Sequence, residues 1–226
     1  GCYRLEEYAT CENPLLRSVD CAYILRMEDS PRVIDKRLVH FAKTTIVQNN
    51  AGFRACTKRG VNSTGTDLVH ALRNVCRLTQ GMHNILILED DALVVESSIA
   101  PHMVAVDAFI DKGEFDVYSL GSVGVRTPTR QMHVHMHSIL FAHAMIWSKG
   151  ARTRLLSTRE PIEHVDVHFI SRLPRAFKYA RPLVGQTLTA TENSTSWCIV
   201  CKGPVRKLES RGARMFLWLT RKVGLA

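Results

Sequence analysis

The sequence predicts an α/β protein with a mixed, mostly parallel sheet flanked by helices. Three observations predict it. Short aliphatic or β-branched runs alternate with segments whose apolar residues recur at helical spacing. Between them stand the residues that start and stop helices: Ser or Thr, then Pro, with Gly at the far end. With 226 residues, 46% of them hydrophobic, the chain is long enough to bury a sizeable core.

The elements follow in order. "CAYILRM", from Cys21 to Met27, reads as a strand. "SPRVIDKRLVHFAK" reads as a helix, with Ser30 as N-cap, Pro31 at the first helical position, and Val33, Ile34, Leu38 and Phe41 at helical spacing. "TTIVQNN" is a second, β-branched strand. A helix follows with cap candidates Thr64 and Thr66 and an apolar stripe of Leu68, Val69, Leu72, Val75 and Cys76. The aliphatic run 85–88 is the third strand, which completes a βαβαβ order and implies parallel pairing. A helix is expected over 98–113, with Pro101 near its start and Gly113 at its end. "FDVYSLG" is another strand, 121–131 a Gly- and Thr-rich loop, and "MHVHMHSILFAHAMIWS" one strand or two. A short helix capped by Ser148, a helix opening near His164, and the strand "FKYARPLV" complete the domain.

Residues 1–20 read as an N-terminal extension, 21–197 as the main domain, and 198–226 as a tail with seven basic residues against one acid. Met215, Phe216, Leu217, Trp218 and Leu219 interleave there with Arg214, Arg221 and Lys222, as in a basic amphipathic helix. The tail is expected to pack on the domain or to lie on an anionic membrane surface. The seven cysteines are scattered, which argues against a dense disulfide framework, and the lone Cys198–Cys201 CxxC lacks the second pair a zinc site needs. "NST" occurs at Asn62 and Asn193. The net charge of +9 favours anionic partners. No zinc-finger, RRM or helix-turn-helix pattern accompanies it, so nucleic acid is not expected as a partner. No run of about 18 apolar residues is present to span a bilayer.

The chemistry concentrates in "NILILEDDALVV", where an apolar strand ends in Glu89, Asp90 and Asp91. In open α/β sheets, ligands sit at the carboxyl ends of strands. Adjacent acids there are either a solvated turn or neutralised by a cation or an Arg. Mg2+ and Mn2+ take one or two such carboxylates and share themselves with substrate phosphates.

"ILILEDDALVV" resembles the metal-binding motif of glycosyltransferases of the GT-A fold. "CAYILRMEDSPR", "GVNSTGTDLVHALRNV", "FDVYSLG", "AHAMIWSKGARTRLL", "IEHVDVHF" and "RPLVGQ" followed by "NSTSW" resemble, in order, segments of glycosyltransferase family 25. The chain departs from that family at Thr66-Asp67, where the family has Ser-His, and at Leu25 to Glu28.

The resemblance implies a GT-A domain that moves a sugar from a nucleoside diphosphate sugar, a UDP-sugar, to a glycan, glycoprotein or glycolipid. It implies Mn2+ or Mg2+ held by Asp91 and Glu89, with Asp90 undecided between the sheet and the donor sugar. His168 and His143 are candidates to complete the coordination, against plain structural roles. Arg26 and Arg32 lie near the first strand end and are candidates to meet the diphosphate, while Gln186 and Ser196 match the late motif and are candidate donor contacts. Asp166 is the candidate base for an inverting transfer, against helix capping. His133, His135 and His137 alternate on a strand and are expected to face solvent. The other reading is a catalytically silent glycan- or nucleotide-binding domain. A cytoplasmic, membrane-peripheral location is expected, with a lumenal form as the alternative.

Overall fold

Consecutive strand residues point to opposite faces, so a strand covered on both sides needs apolar residues without alternation. "ILIL" meets that need. Leu86 and Leu88 join one core cluster with Ala22, Ile24, Phe41 and Ile146. Ile85 and Ile87 join the other, with Tyr23, Leu72, Val75 and Trp147. The computed structural model describes residues 1–95, 98–127 and 130–186, and its elements are numbered along the chain.

The strands are β1 (Tyr3–Thr10), β2 (Cys21–Met27), β3 (Thr44–Asn50), β4 (Asn84–Glu89), β5 (Ala92–Val94), β6 (Val117–Ser119), β7 (His133–His135), β8 (Ala144–Ser148), β9 (Ala176–Tyr179) and β10 (Val184–Gln186). The helices are α1 (Gly52–Ala55), α2 (Thr64–Leu78), α3 (Ala100–Ile110), α4 (Lys149–Ser157) and α5 (Val165–His168). The main sheet runs β1-β3-β2-β4-β8-β6-β9-β7, and β5 pairs with β10 in a small second sheet. β2, β3, β4, β6 and β9 point one way; β8 inserts antiparallel between β4 and β6. The expected α/β class, a mixed sheet flanked by helices, is the one found. Residues of α3 pack in the first core cluster, and residues of α2, α4 and α5 in the second. No helix among the described residues is long and apolar enough to cross a membrane.

Several expected elements take a different form. The segment from Ser30 to Lys43 makes only a short 3-10 turn at Lys36–His40, capped by Asp35. Polar anchors hold the rest of it open. The Arg26 guanidinium donates to the carbonyls of Ser30 and Arg32, and Asp35 accepts from the backbone of Val94. Val33, read as part of an apolar stripe, is 88% exposed. α2 is capped by Ser63, with Thr66 returning a bond to the cap in a capping box, so neither Thr64 nor Thr66 is the cap itself. β5 went unread because three residues carry too short a pattern.

Residues 1–20 contribute β1, an antiparallel edge strand on β3. Cys2 is bonded to Cys56; Cys11, Cys21 and Cys76 are free. The histidine ladder faces solvent only in part: His137 is exposed, while His133 and His135 are half-buried. His133 stacks on Phe109 of α3, and Tyr118 shares a hydrogen bond with its Nδ1 at 2.8 Å. His135 packs on Phe177. The tail 198–226, the CxxC, Ser196 and Asn193 lie outside the described residues.

Where β3 ends, Lys58 is buried against Asp67 and Asn50, its Nζ 2.5 Å from an oxygen of each. The side chains of Lys58 and Asp67 are 1% and 5% exposed. Asn50 closes the triangle by donating to Asp67 at 3.2 Å. Removing one member of such a pair strands the other charge, at a cost of roughly 3–5 kcal/mol. Lys58→Met should therefore lower the urea midpoint sharply, and Lys58→Met/Asp67→Leu should recover most of the loss. A double variant no more stable than the single one would refute the pairing argument.

Candidate functional site

The three acids sit where β4 leaves the sheet, and the sheet's own geometry separates them. Glu89 continues the face of Ile85 and Ile87, lining a small cavity with Leu25, Leu72, Trp147 and Val165. Asp90 follows Leu86 and Leu88 to the other face, where the Ser30 hydroxyl donates to Oδ2 at 2.5 Å and Arg32 Nη1 to Oδ1 at 2.7 Å. Asp91 turns back across the sheet edge. The turn is pinned on both flanks, because the Glu89 N–H donates to the His143 carbonyl and the Asp90 N–H to the Leu25 carbonyl.

Pairing of β10 with β5 places Gln186 opposite Ala92, next to the acids. From there Gln186 Nε2 lies 3.0 Å from Asp91 Oδ2 and 3.5 Å from Glu89 Oε2. One amide thus holds Glu89 and Asp91 toward a common point. Arg32 spans the two aspartates, 2.7 Å from Asp90 and 3.5 Å from Asp91. Asp90 and Asp91 are both buried.

Burial pushes the Glu89 carboxyl up to about 8, and the nearby Asp91, Asp90 and Asp166 push the same way against Arg32. Burial also raises Asp91, opposed by the Gln186 hydrogen bond and by Arg32. Arg32 is held above its ordinary value: burial works against its charge, but the hydrogen bond to Asp90 and the surrounding carboxylates outweigh it.

Asp166 opens α5 and is close enough to Glu89 to raise it. Its Oδ1 accepts from the N–H of Val167 at 2.9 Å and its Oδ2 from the N–H of Phe141 at 3.3 Å. His143 is buried behind the site. Its Nε2 donates to the Val184 carbonyl at 3.2 Å, and its Nδ1 has no hydrogen-bond partner among the described residues. A Cβ on Gly121 would stand 1.8 Å from the Val184 carbonyl oxygen and 2.6 Å from His143 Nε2, so only glycine fits there.

Glu89, Asp90, Asp91, Arg32, Gln186 and Asp166 are therefore brought together. Arg26 is not turned to the acids; it braces the loop that carries Ser30 and Arg32. His168 also stands apart, tilted against His164 and lining an open groove with Arg154, Arg159 and Arg172. Ser30 was missed as a site residue. Its signal was its place just past a strand's carboxyl end, which a helix-cap reading overrode.

A metal fits this donor set in one form. Among the described residues no group of three or more His, Cys, Asp or Glu side chains is arranged to hold an ion. Glu89 and Asp91, held together by Gln186, instead offer two carboxylates, the number Mg2+ or Mn2+ takes when phosphates supply the remaining oxygens.

No family model and no curated protein matches the chain, so the likeness to glycosyltransferase family 25 stays one of motifs. Among solved structures the chain is similar to A197 from STIV, with a TM-score of 0.44 and 12% identity over 74% of this chain and 83% of that one. It is similar to mannose-1-phosphate geranyltransferase from Thermus thermophilus, with a TM-score of 0.37 and 10% identity over 54% of this chain and 51% of that one. It is also similar to HddC from Yersinia pseudotuberculosis, complexed with GMP-PN, with a TM-score of 0.35 and 13% identity over 67% of this chain and 64% of that one.

The raised Glu89 sets a sign for stability. Its ordinary value is 4.5, and burial pushes it up to about 8. Between those limits the folded chain holds more protons than the unfolded chain, so stability falls as pH rises through that window. Glu89→Gln removes this loss. In metal-free buffer the variant should melt above the parent at pH 8 and level with it near pH 4; a constant difference across that range would refute the assignment.

Proposed function

We propose that the chain is a metal-dependent glycosyltransferase that moves a sugar from a UDP-sugar to a glycan, glycoprotein or glycolipid hydroxyl with inversion. The observation that carries this reading is the convergence of Glu89, Asp91, Gln186 and Arg32 at the sheet's carboxyl edge, with Asp166 close enough for its charge to raise Glu89. In this reading Glu89 and Asp91 hold Mn2+ or Mg2+, which when bound stabilises the charge growing on the departing diphosphate. Arg32 is the adjacent fixed cation, already aimed at the acids, and it can exchange a carboxylate for a phosphate oxygen. Asp90 serves the loop instead, holding Ser30 and Arg32 in place.

Asp166 takes the proton of the acceptor hydroxyl. Two backbone N–H groups orient its carboxylate, one from Val167 and one from Phe141. The Cys2–Cys56 disulfide favours the lumenal alternative over the cytoplasm.

A second reading, a silent binding domain, draws on the pairing of Asp90 and Asp91 with Arg32. One experiment separates the two. Nucleotide sugars are screened for Mn2+-dependent thermal stabilisation and for hydrolysis or transfer, with two variants beside the parent. Asp91→Asn should abolish the stabilisation. Asp166→Asn should retain it and lose transfer by roughly a hundredfold or more. Stabilisation without turnover by the parent selects the binding domain, and no stabilisation by any nucleotide sugar refutes both.

A further inference from the structure

The loop leading from β7 into β8 carries an unusual residue. Phe141 has a φ of +64°, the sole positive value at a non-glycine position among the described residues. A bulky side chain there costs energy, of order 1–3 kcal/mol, and such positions persist where the surroundings over-determine them. Here the fixed element is the hydrogen bond from the Phe141 N–H to Asp166 Oδ2. The backbone bends into the left-handed region, and the ring, 48% exposed, is left at the surface instead of in the core. The other residue that donates its N–H to Asp166 is Val167, whose side chain is 37% exposed. An apolar surface thus frames Asp166, whose carboxylate is held by backbone N–H groups. Glycine would remove the strain, and a polar residue would remove the exposed ring; the sequence has neither.

We propose that Phe141, with Val167 beside it, is the platform on which the acceptor sugar stacks, the apolar face of a neutral hexose lying over the ring and one of its hydroxyls directed to Asp166. The proposal rests on the transferase reading for the word acceptor, and on its own observations for the sugar. An aromatic ring offers a hexose a flat apolar face at little entropic cost, because only two side-chain torsions need fixing. Val167, exposed on the other side of the Asp166 carboxylate, adds no charge, and the carboxylate itself favours a neutral sugar over an acidic one.

The test is direct binding, by ligand-observed NMR, of methyl hexosides and lactose to the parent, Phe141→Gly and Phe141→Trp, each with and without UDP and Mn2+. Melting temperatures are measured alongside. Phe141→Gly should bind roughly tenfold more weakly yet melt at or above the parent, because glycine accepts the positive φ. Phe141→Trp, which keeps an aromatic face, should retain binding. The proposal is overturned by a parent that binds no hexoside, by a glycine variant that binds like the parent, by binding and melting temperature falling together, or by loss of binding in the Trp variant. Donor hydrolysis by the parent is measured separately. Hydrolysis without hexoside binding sinks the platform alone; ring-dependent binding without hydrolysis sinks the transferase reading and leaves a glycan-binding module.

Discussion

The arrangement depends on one electrostatic constraint: carboxylates placed at the end of a fully buried strand must be neutralised or held by donors. An isolated buried carboxylate is expensive, and the fold meets the cost locally. Arg32 supplies the charge, and Ser30 and Gln186 supply the hydrogen bonds. Ser30 and Arg32 come from the loop after β2, and Gln186 from β10. Satisfying the acids therefore fixes the loop after β2 and draws β10 against β5, and it keeps the segment from Ser30 to Lys43 from closing into a helix. The compensation is incomplete, since Glu89 and Asp91 both stay above their ordinary values. Surplus negative charge at an open edge is the physical basis for expecting a cation there.

The same edge is shaped by close approaches that leave no freedom of substitution. Gly121 lets β10 pass within contact of the β6 end, and His143 ties that crossing to β8 through the Val184 carbonyl. The carbonyl of the same His143, just ahead of β8, receives the Glu89 N–H. A displacement of β10 would thus be felt at Glu89 through His143 as well as through Gln186.

Much of this was legible in the residues. Strands 21–27 and 44–50 are legible from the apolar or β-branched runs 21–25 and 44–47 that open them, because burial on both faces demands such runs. The acids were legible because charge at the end of such a run needs a reason. Tertiary polar anchoring was not. Ser30 has the look of a helix cap, and nothing local says that its hydroxyl is committed to Asp90, 60 positions along the chain. His168 matched a motif by neighbourhood, yet a step of two residues along a helix separates its direction from that of Asp166 by roughly 200° around the axis. The histidine ladder fails at His133 for a related reason: alternation fixes a common face, but that α3 covers one end of it is decided by Phe109, far from it in sequence.

Net charge is the feature most changed by the structure. A surplus of +9 reads as a surface attracting anions. Yet three of the cations are interior fittings. Arg152 is buried and donates to the carbonyls of Trp147, Thr79, Met82 and His83, tying the end of α2 to α4. Lys178 is buried under Ser122, whose carbonyl it holds at 2.9 Å, and burial pushes it down to about 8. Lys58 closes its triangle with Asp67 and Asn50. These charges face backbone or carboxylate oxygens, and they add nothing to a surface potential. At the candidate site the balance is reversed, with a single Arg32 facing three carboxylates. A positively charged protein has built a negatively charged edge, and that local inversion, not the overall charge, is what a cation-bridged diphosphate would recognise.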